Sequence, residues 1–321
     1  MTNTIIDKKP VQLTIGALIV LGTLICVFTP NYFLFKMGAR FAVHIMIGYL
    51  LLAIVFLIFR QTRLMFTSFA CCAGLCLFLK HASNADLSVP LETKEDIVQV
   101  AHVNLSASEE DYEQTIQSIL QTKADLISIQ EVTPDWREAL QTLQSIYPHS
   151  SVIESLDPFG IAVYSKFPFI HLDTLQYENI PTICGQIKAE GIGKPIHFIS
   201  THTTPPLFSS AYEKMQAHFQ MLNRHIRKVD LPIITLGDFH APPWWAEIQE
   251  LKETGQLVDS RRSASYGFSD VFQIPVDYIL YSDNLTCTEF KPVHSVTNSS
   301  RFGIQGTYQF ISTLKNASQA N

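Results

Sequence analysis

The sequence predicts an α/β fold carried behind three transmembrane helices, and three observations lead there. The 321 residues are 47% apolar with a net charge of −6, and the apolar excess is concentrated before residue 80, where no ordinary soluble domain needs it. From Asp96 onward, β-branched runs alternate with segments of helical period, the pattern of an α/β domain with buried sheets. Five of those apolar runs stop at one polar or ionisable residue, which brings five candidate functional groups to strand ends.

The amino-terminal part divides into three apolar runs, Val11–Thr29, Phe41–Phe59 with only His44 ionisable, and Leu64–Leu79, each read as a membrane span. The third is short, about 24 Å at the helical rise, and Arg63 and Lys80 are placed to snorkel outward and bridge the deficit. Because no small-residue cleavage site precedes the second run, the first reads as an anchor rather than a signal peptide. Pro30 and Asn31, with a short loop carrying Lys36 and Arg40, make one tight hairpin; Arg60–Arg63 makes the other. Lys8, Lys9, Arg60 and Arg63 oppose Lys36, Arg40 and Lys80, so charge alone leaves the orientation balanced. An inside amino terminus, the reading adopted, puts everything after Lys80 outside the cytoplasm, in the periplasm of a bacterium with the spans in its inner membrane. His44 reads as a helix-facing or interfacial histidine ahead of a functional intramembrane group. Residues 1–80 thus form the membrane region, 81–95 a linker, 96–315 the domain and 316–321 a tail.

Within the domain, Val98–Asn104 is the first strand. Ser108 is expected to head a helix with Tyr112, Ile116, Ile119 and Leu120 on its apolar face and Asp111 completing a box-like start. Leu126–Glu131 returns as a strand, and Thr133-Pro134 opens a second helix burying Trp136, Leu140, Leu143 and Ile146. Strands at 160–165, 183–189 and 195–200 follow, the last running on to His202. Then come a long helix, Ser209–Arg227, a strand over Leu231–Asp238, a short helix, Pro243–Leu251, and a strand-rich remainder with Pro275–Asp277 ending on an acid and Gly306–Ile311 closing the domain. Cys26, Cys71, Cys72 and Cys76 lie in the spans as small apolar residues. Cys184 and Cys287 belong to the domain, their spacing leaves pairing open, and neither suggests a zinc site.

The five strand ends are Asn104, Ile129-Gln130-Glu131-Val132, Ser200-Thr201-His202, Gly237-Asp238-Phe239 and Val276-Asp277-Tyr278-Ile279-Leu280. A turn-forming Asp or Asn after one strand is ordinary; five in this order resemble the endonuclease/exonuclease/phosphatase superfamily. Its members include deoxyribonucleases, abasic-site endonucleases, inositol polyphosphate phosphatases and sphingomyelinases, which cleave phosphoester bonds with a divalent metal. The resemblance implies a two-sheet α/β sandwich flanked by helices. It implies that Glu131 is the principal ligand for Mg²⁺ or Mn²⁺ with Asn104 beside it, that His202 contacts phosphate, that Asp238 orients the nucleophile, and that Asp277 joins the same carboxylate cluster. Such chemistry needs a metal on the phosphoryl oxygens, a base for water and groups that stabilise the in-line transition state, and Glu131 is a hard oxygen donor suited to Mg²⁺. Local roles compete: Asn104 capping Ser106–Ser108, His202 as a satisfied strand-end histidine, Asp277 paired with Arg261 or Arg262.

Two departures stand against the resemblance. His240 occupies the position where the family has Asn, and Ser299-Ser300-Arg301 aligns with a Ser-Asp-His triplet that supplies the family's general-base pair. A guanidinium stays protonated and accepts no proton from water, and losing a general base costs about 10²- to 10⁴-fold in rate. Three readings follow: a hydrolase of reduced or altered activity with His240 as substitute base; a pseudoenzyme that keeps a phosphate pocket with Arg301 clamping the anion; or a shifted alignment with His294 as base, which lacks an adjacent Asp to orient it. The first is preferred. The absence of a Lys/Arg-rich patch argues against tight duplex DNA binding, leaving lipid head groups, nucleotides or other nucleic acid as phosphate-ester substrates. Thr203–Pro206 and Ala241–Trp245 are expected to wall the site, with Trp244 and Trp245 packing rather than stacking on a ligand.

Overall fold

The computed structural model describes residues 8–82, 97–107, 111–188, 194–263, 274–296 and 301–311. Ser108, residues 83–95, Ser299, Ser300 and the 316–321 tail lie outside them. Two compact units are formed, Met1–Ala85 with Ala241–Gln249 and Tyr266–Pro275, and Asp86–His240 with Glu250–Ser265 and Val276–Asn321.

In the first unit, α1 (Lys9–Phe28) carries Pro10 in its first turn, where no intrahelical N–H is lost, and stops where Thr29 turns left-handed ahead of Pro30. α2 (Phe33–Arg40) and α3 (Ala42–Ile58) follow with a 60° bend between them, and α4 (Thr62–Ala82) completes the set. By length and composition α1 and α4 can each cross a membrane, and α2 with α3 can make a third span if the bent pair counts as one. Their outer surfaces expose Leu13, Leu18, Leu57, Phe66 and Leu77. Two expectations change. α4 runs to Ala82, about 31 Å at 1.5 Å per residue, so no length deficit remains, and Lys80 and His81 sit in its last turn, where the helix dipole favours cations.

The second change is that the expected loop after Asn31 is the helix α2. Its Lys36 is fully buried against Glu247 at 3.0 Å, a pairing that a desolvated ammonium requires. The Trp244 indole donates to the Ala39 carbonyl at 2.7 Å, and Lys36 Nζ lies 5.5 Å from the Trp245 ring centre. The tryptophans therefore pack on α2 rather than wall a site, which is why Ala241–Gln249 groups with the amino-terminal helices.

The second unit is a pair of six-stranded mixed sheets. One has the order β11-β12-β1-β2-β4-β3, from β11 (Leu285–His294), β12 (Arg301–Phe310), β1 (Ile97–Asn104), β2 (Leu126–Gln130), β4 (Ile161–Ser165) and β3 (His149–Ile153). The other has the order β5-β6-β7-β8-β10-β9, from β5 (Phe169–Tyr177), β6 (Ile180–Ile187), β7 (Ile196–Thr201), β8 (Ile233–Asp238), β10 (Asp277–Ser282) and β9 (Leu257–Asp259). Among the described residues only β1/β2 and β7/β8 pair in parallel, and each connection carries the helix such a crossover needs, α5 (Tyr112–Gln121) and α7 (Ser209–Ile226).

Alternation along β1 shows how the layers form. Val98 and Val100 enter the core between the sheets with Phe198, Leu236 and Ile279, while Ala101 and Val103 face outward onto Ile116 and Ile119 of α5. Both faces are buried, so the strand reads as a nearly continuous apolar run. α5 is capped by Asp111 itself, whose carboxylate accepts the Gln114 N–H at 2.9 Å; the expected start at Ser108 gives way to a cap directly before Tyr112. α6 (Pro134–Ala139) opens as expected, with the Thr133 hydroxyl accepting the Trp136 N–H. The short helix expected over 243–251 becomes α8 (Ala246–Gly255), entered through a turn in which the Trp245 N–H donates to the Pro242 carbonyl at 3.0 Å. Pro275–Asp277 is no strand end: Asp277 begins β10, and because β10 runs antiparallel to β8 its first residue sits beside Asp238, the last of β8. Cys184 and Cys287 are both free thiols, one in each sheet.

Candidate active site

The inward parity of β1 that buries Val98 and Val100 also turns His102 and Asn104 toward the second sheet. Gln130, beside Asn104 in the β1/β2 ladder, ties three strand ends together. Its Oε1 accepts the Asp238 N–H at 3.1 Å and its Nε2 donates to the Thr201 carbonyl. Ser128, two residues earlier on the same face, meets Ser200 hydroxyl to hydroxyl at 2.6 Å. β8 can come this close only because residue 237 is glycine: a Cβ there would stand 1.8 Å from the Thr201 carbonyl oxygen, on a backbone with φ +146°.

Past Gly237 the chain doubles back on its own carboxylate. Asp238 Oδ1 accepts the backbone N–H of His240 at 2.9 Å, the turn that aspartate makes two residues ahead of itself. His240 takes a left-handed conformation, φ 50°, which histidine tolerates better than most side chains, and this returns the ring to the same oxygen, Nδ1 to Oδ1 2.8 Å. On the far side of the imidazole, His240 Nε2 lies 3.1 Å from Nε2 of His202, at the end of β7. The result is a line of Asp238, His240 and His202, whose ligand atoms all lie within 4.8 Å of one another.

Burial first, and then the charge of His240, pushes the His202 imidazole down to about 4, so His202 is neutral at working pH. Burial would raise the Asp238 carboxyl, but the hydrogen bond and charge of His240, with the charge of His202, outweigh it and hold it at about 2. Asp238, ionised, accepts from His240 Nδ1–H, and this leaves His240 Nε2 facing His202 Nε2, with one of the two nitrogens supplying the shared proton. A carboxylate that fixes the tautomer and leaves the far nitrogen basic is the arrangement of a general base and its orienting partner.

Asn104 and Glu131 close the ends of the parallel strands β1 and β2. The Asn104 amide donates to Glu131 Oε1 at 2.9 Å, while its oxygen is taken by the backbone N–H and hydroxyl of Ser106 at 3.0 and 2.9 Å. Asn104 thus both caps locally and orients a carboxylate. Glu131 itself has φ 62°, a backbone state that costs a non-glycine residue and clusters at functional sites. Its carboxylate, held on one oxygen, fits the hard-oxygen donor set of Mg²⁺ or Mn²⁺, which bind through one or two carboxylates and keep several waters.

Asp277, opposite Asp238 in the β8/β10 ladder, is flanked by His102 Nε2 at 3.5 Å and Arg301 Nη2 at 3.6 Å. Arg261, the partner weighed from sequence, instead pairs with Asp259 at 3.4 Å and covers the Tyr278 ring. The Arg262 side chain lies outside the described residues. Arg301 begins β12, and His294 stands opposite it in the β11/β12 ladder on the exposed side. Asn104, Glu131, His202, Asp238, His240, Asp277 and Arg301 therefore fall in one connected group. Reading by residue type missed His102 and Gln130. The signal for both was period two: each is polar at a position whose neighbours two residues away face the inter-sheet core. His102 is fully buried with neither ring nitrogen hydrogen-bonded, an exception that such sites concentrate.

Residues 101–300 match the family model described as Endonuclease/Exonuclease/phosphatase family. No curated protein matches the sequence. Among solved structures, the endonuclease/exonuclease/phosphatase from Beutenbergia cavernae is similar over 67% of this chain and 72% of its own, at 15% identity and TM-score 0.53. That from Bacteroides vulgatus is similar over 67% and 99%, at 14% identity and TM-score 0.52. D. rerio TDP2, complexed with single strand DNA product, is similar over 66% and 99%, at 11% identity and TM-score 0.52. At these identities the likeness is one of fold.

Proposed function

Since the chain belongs to the endonuclease/exonuclease/phosphatase family, we propose that it is a membrane-anchored, metal-dependent phosphoesterase in which Asp238 and His240 replace the general-base pair missing at Ser300 and Arg301. One observation carries this reading, the 2.8 Å contact between Asp238 Oδ1 and His240 Nδ1. His240 Nε2 accepts the proton of the attacking water, and Asp238 stabilises the imidazolium that forms. His202 donates to that nitrogen at rest; when water takes its place, the His202 N–H is free for a phosphoryl oxygen. Arg301, anchored by Asp277, presents its remaining donors to the same anion. Glu131, oriented by Asn104, would hold a divalent cation, whose charge offsets that of the phosphoryl oxygens.

The apolar helices, with exposed leucine and phenylalanine along their length, suit a hydrocarbon surrounding, and an inside amino terminus would place the catalytic unit outside the cytoplasm. The net charge of −6 favours lipid head groups, nucleotides or single-stranded nucleic acid over duplex DNA. A second reading rests on Arg301: a guanidinium beside Asp277 makes an anion-binding pseudoenzyme.

Hydrolysis of bis-p-nitrophenyl phosphate by the detergent-solubilised full chain decides between them. The enzyme reading expects Mg²⁺- or Mn²⁺-dependent turnover that Glu131→Ala abolishes together with the metal-induced rise in Tm, and a higher KM at little changed kcat in Arg301→Ala. Absence of turnover on diesters and monoesters with either metal, alongside phosphate binding weakened by Arg301→Ala, establishes the binding module instead.

A further inference from the structure

On the outer face of the second sheet, at the carboxyl end of α7, a second cluster lies away from the strand-end site. Cys184 of β6 and His197 of β7 have the parity opposite to the core residues Ile183 and Phe198, so they face α7, whose last turn supplies His225. The two imidazoles meet at 3.0 Å, Nε2 to Nε2. The thiol sulphur joins them, with the three ligand atoms all within 4.8 Å of one another.

We propose that Cys184, His197 and His225 form a zinc site that clips the end of α7 to β6 and β7. One thiolate and two imidazoles are the ligand classes zinc prefers. With Zn–N of about 2.05 Å and Zn–S of about 2.3 Å, tetrahedral ligand atoms stand roughly 3.3 to 3.6 Å apart, close to the separation observed between the histidines. The donors are too soft for Mg²⁺, so the cation of the strand ends would not compete. Cys184 and His197 are 1% and 5% exposed, which shields the site. Asp173 faces Cys184 across the β5/β6 ladder, and its charge acts on both Cys184 and His225; it offers a carboxylate for a fourth position otherwise filled by water. A ligating cysteine binds as thiolate, so zinc displaces the Cys184 proton on binding. His197 and His202 are five residues apart on one strand, about 16 Å at the rise of a β-strand, so this centre is separate from the phosphoester chemistry. A histidine–histidine hydrogen bond would explain the ring contact alone, and it predicts indifference to metal.

Cobalt separates the two, because thiolate ligation gives an intense sulphur-to-cobalt charge-transfer absorption in the near ultraviolet. The full chain in detergent, stripped with EDTA, should bind one equivalent of Co²⁺ with that absorption, lose it when Zn²⁺ displaces the cobalt, and gain Tm with zinc. Cys184→Ser should abolish the absorption, and His225→Gln, at the half-buried helix end, should weaken zinc binding tenfold or more. A parent chain without the charge-transfer absorption overturns the proposal whether or not the variants fold, as does an absorption that survives Cys184→Ser. A Tm unmoved by both EDTA and zinc overturns it as well.

Discussion

His202 meets His240 through Nε2 atoms 3.1 Å apart, and His197 meets His225 in the same way at 3.0 Å, yet the two pairs sit in opposite chemical settings. The first lies where β7 and β8 end, with a carboxylate on the outer nitrogen of one ring and a left-handed backbone steering that ring into place. The second lies within the sheet, under a helix, with a thiol for its third member. Two imidazoles in contact therefore specify no chemistry by themselves. A carboxylate bonded to Nδ1 leaves a basic nitrogen, whereas a thiol at ligand distance leaves a place for a borderline-soft cation.

The strongest way to break the first setting without touching the second is Gly237→Ala. Its Cβ would overlap the Thr201 carbonyl on a backbone that alanine resists, so a loss on the order of 3 kcal/mol or more is expected. A Tm within a few degrees of the parent would show that β7 and β8 can part more easily than the geometry implies. Gln130→Leu comes next: it orphans the buried Asp238 N–H and Thr201 carbonyl, at about 1–3 kcal/mol for each group. Because the loss falls at Asp238, kcat should drop while zinc binding at Cys184 stays unchanged.

His218 sharpens the comparison by giving burial without a second imidazole. It rests on the Thr182 and Thr201 hydroxyls, and burial alone lowers it from 6.5 to about 4. Between those values the unfolded chain binds a proton that the folded one refuses, so stability is full above pH 6.5 and declines as pH falls, levelling off near pH 4. The slope is at most about 1.4 kcal/mol per pH unit, near 3 kcal/mol in all. His218→Gln should flatten this part of the profile in denaturant titrations run from pH 7 to pH 4.5; an unchanged slope would assign the loss to His197 and His202.

Much of the fold was legible because the buried strands are nearly all apolar and stop at single polar residues. Asn104, Glu131, His202 and Asp238 stand out for that reason, and their order carried the family resemblance. The layered sandwich itself came with the resemblance, since alternation along β1 says only that both faces are covered. Less legible was α2, where Lys36 reads as a loop residue until Glu247, far along the chain, neutralises it. The turn that folds His240 onto Asp238 depends on a left-handed backbone that residue type merely permits. The metal-ligating company of Cys184 was invisible for a different reason: its partners come from another strand and a helix, with no spacing rule between them.

The base assignment is tested most directly by moving the base. In the parent background His240→Ala should lower phosphodiester turnover by about 10²- to 10⁴-fold. In a chain carrying Ser300→Asp and Arg301→His, which restores the family's pair, the same substitution should change turnover little. Equal losses in both backgrounds, or a parent that turns over rapidly and is indifferent to His240→Ala, would contradict the assignment of His240 as the base.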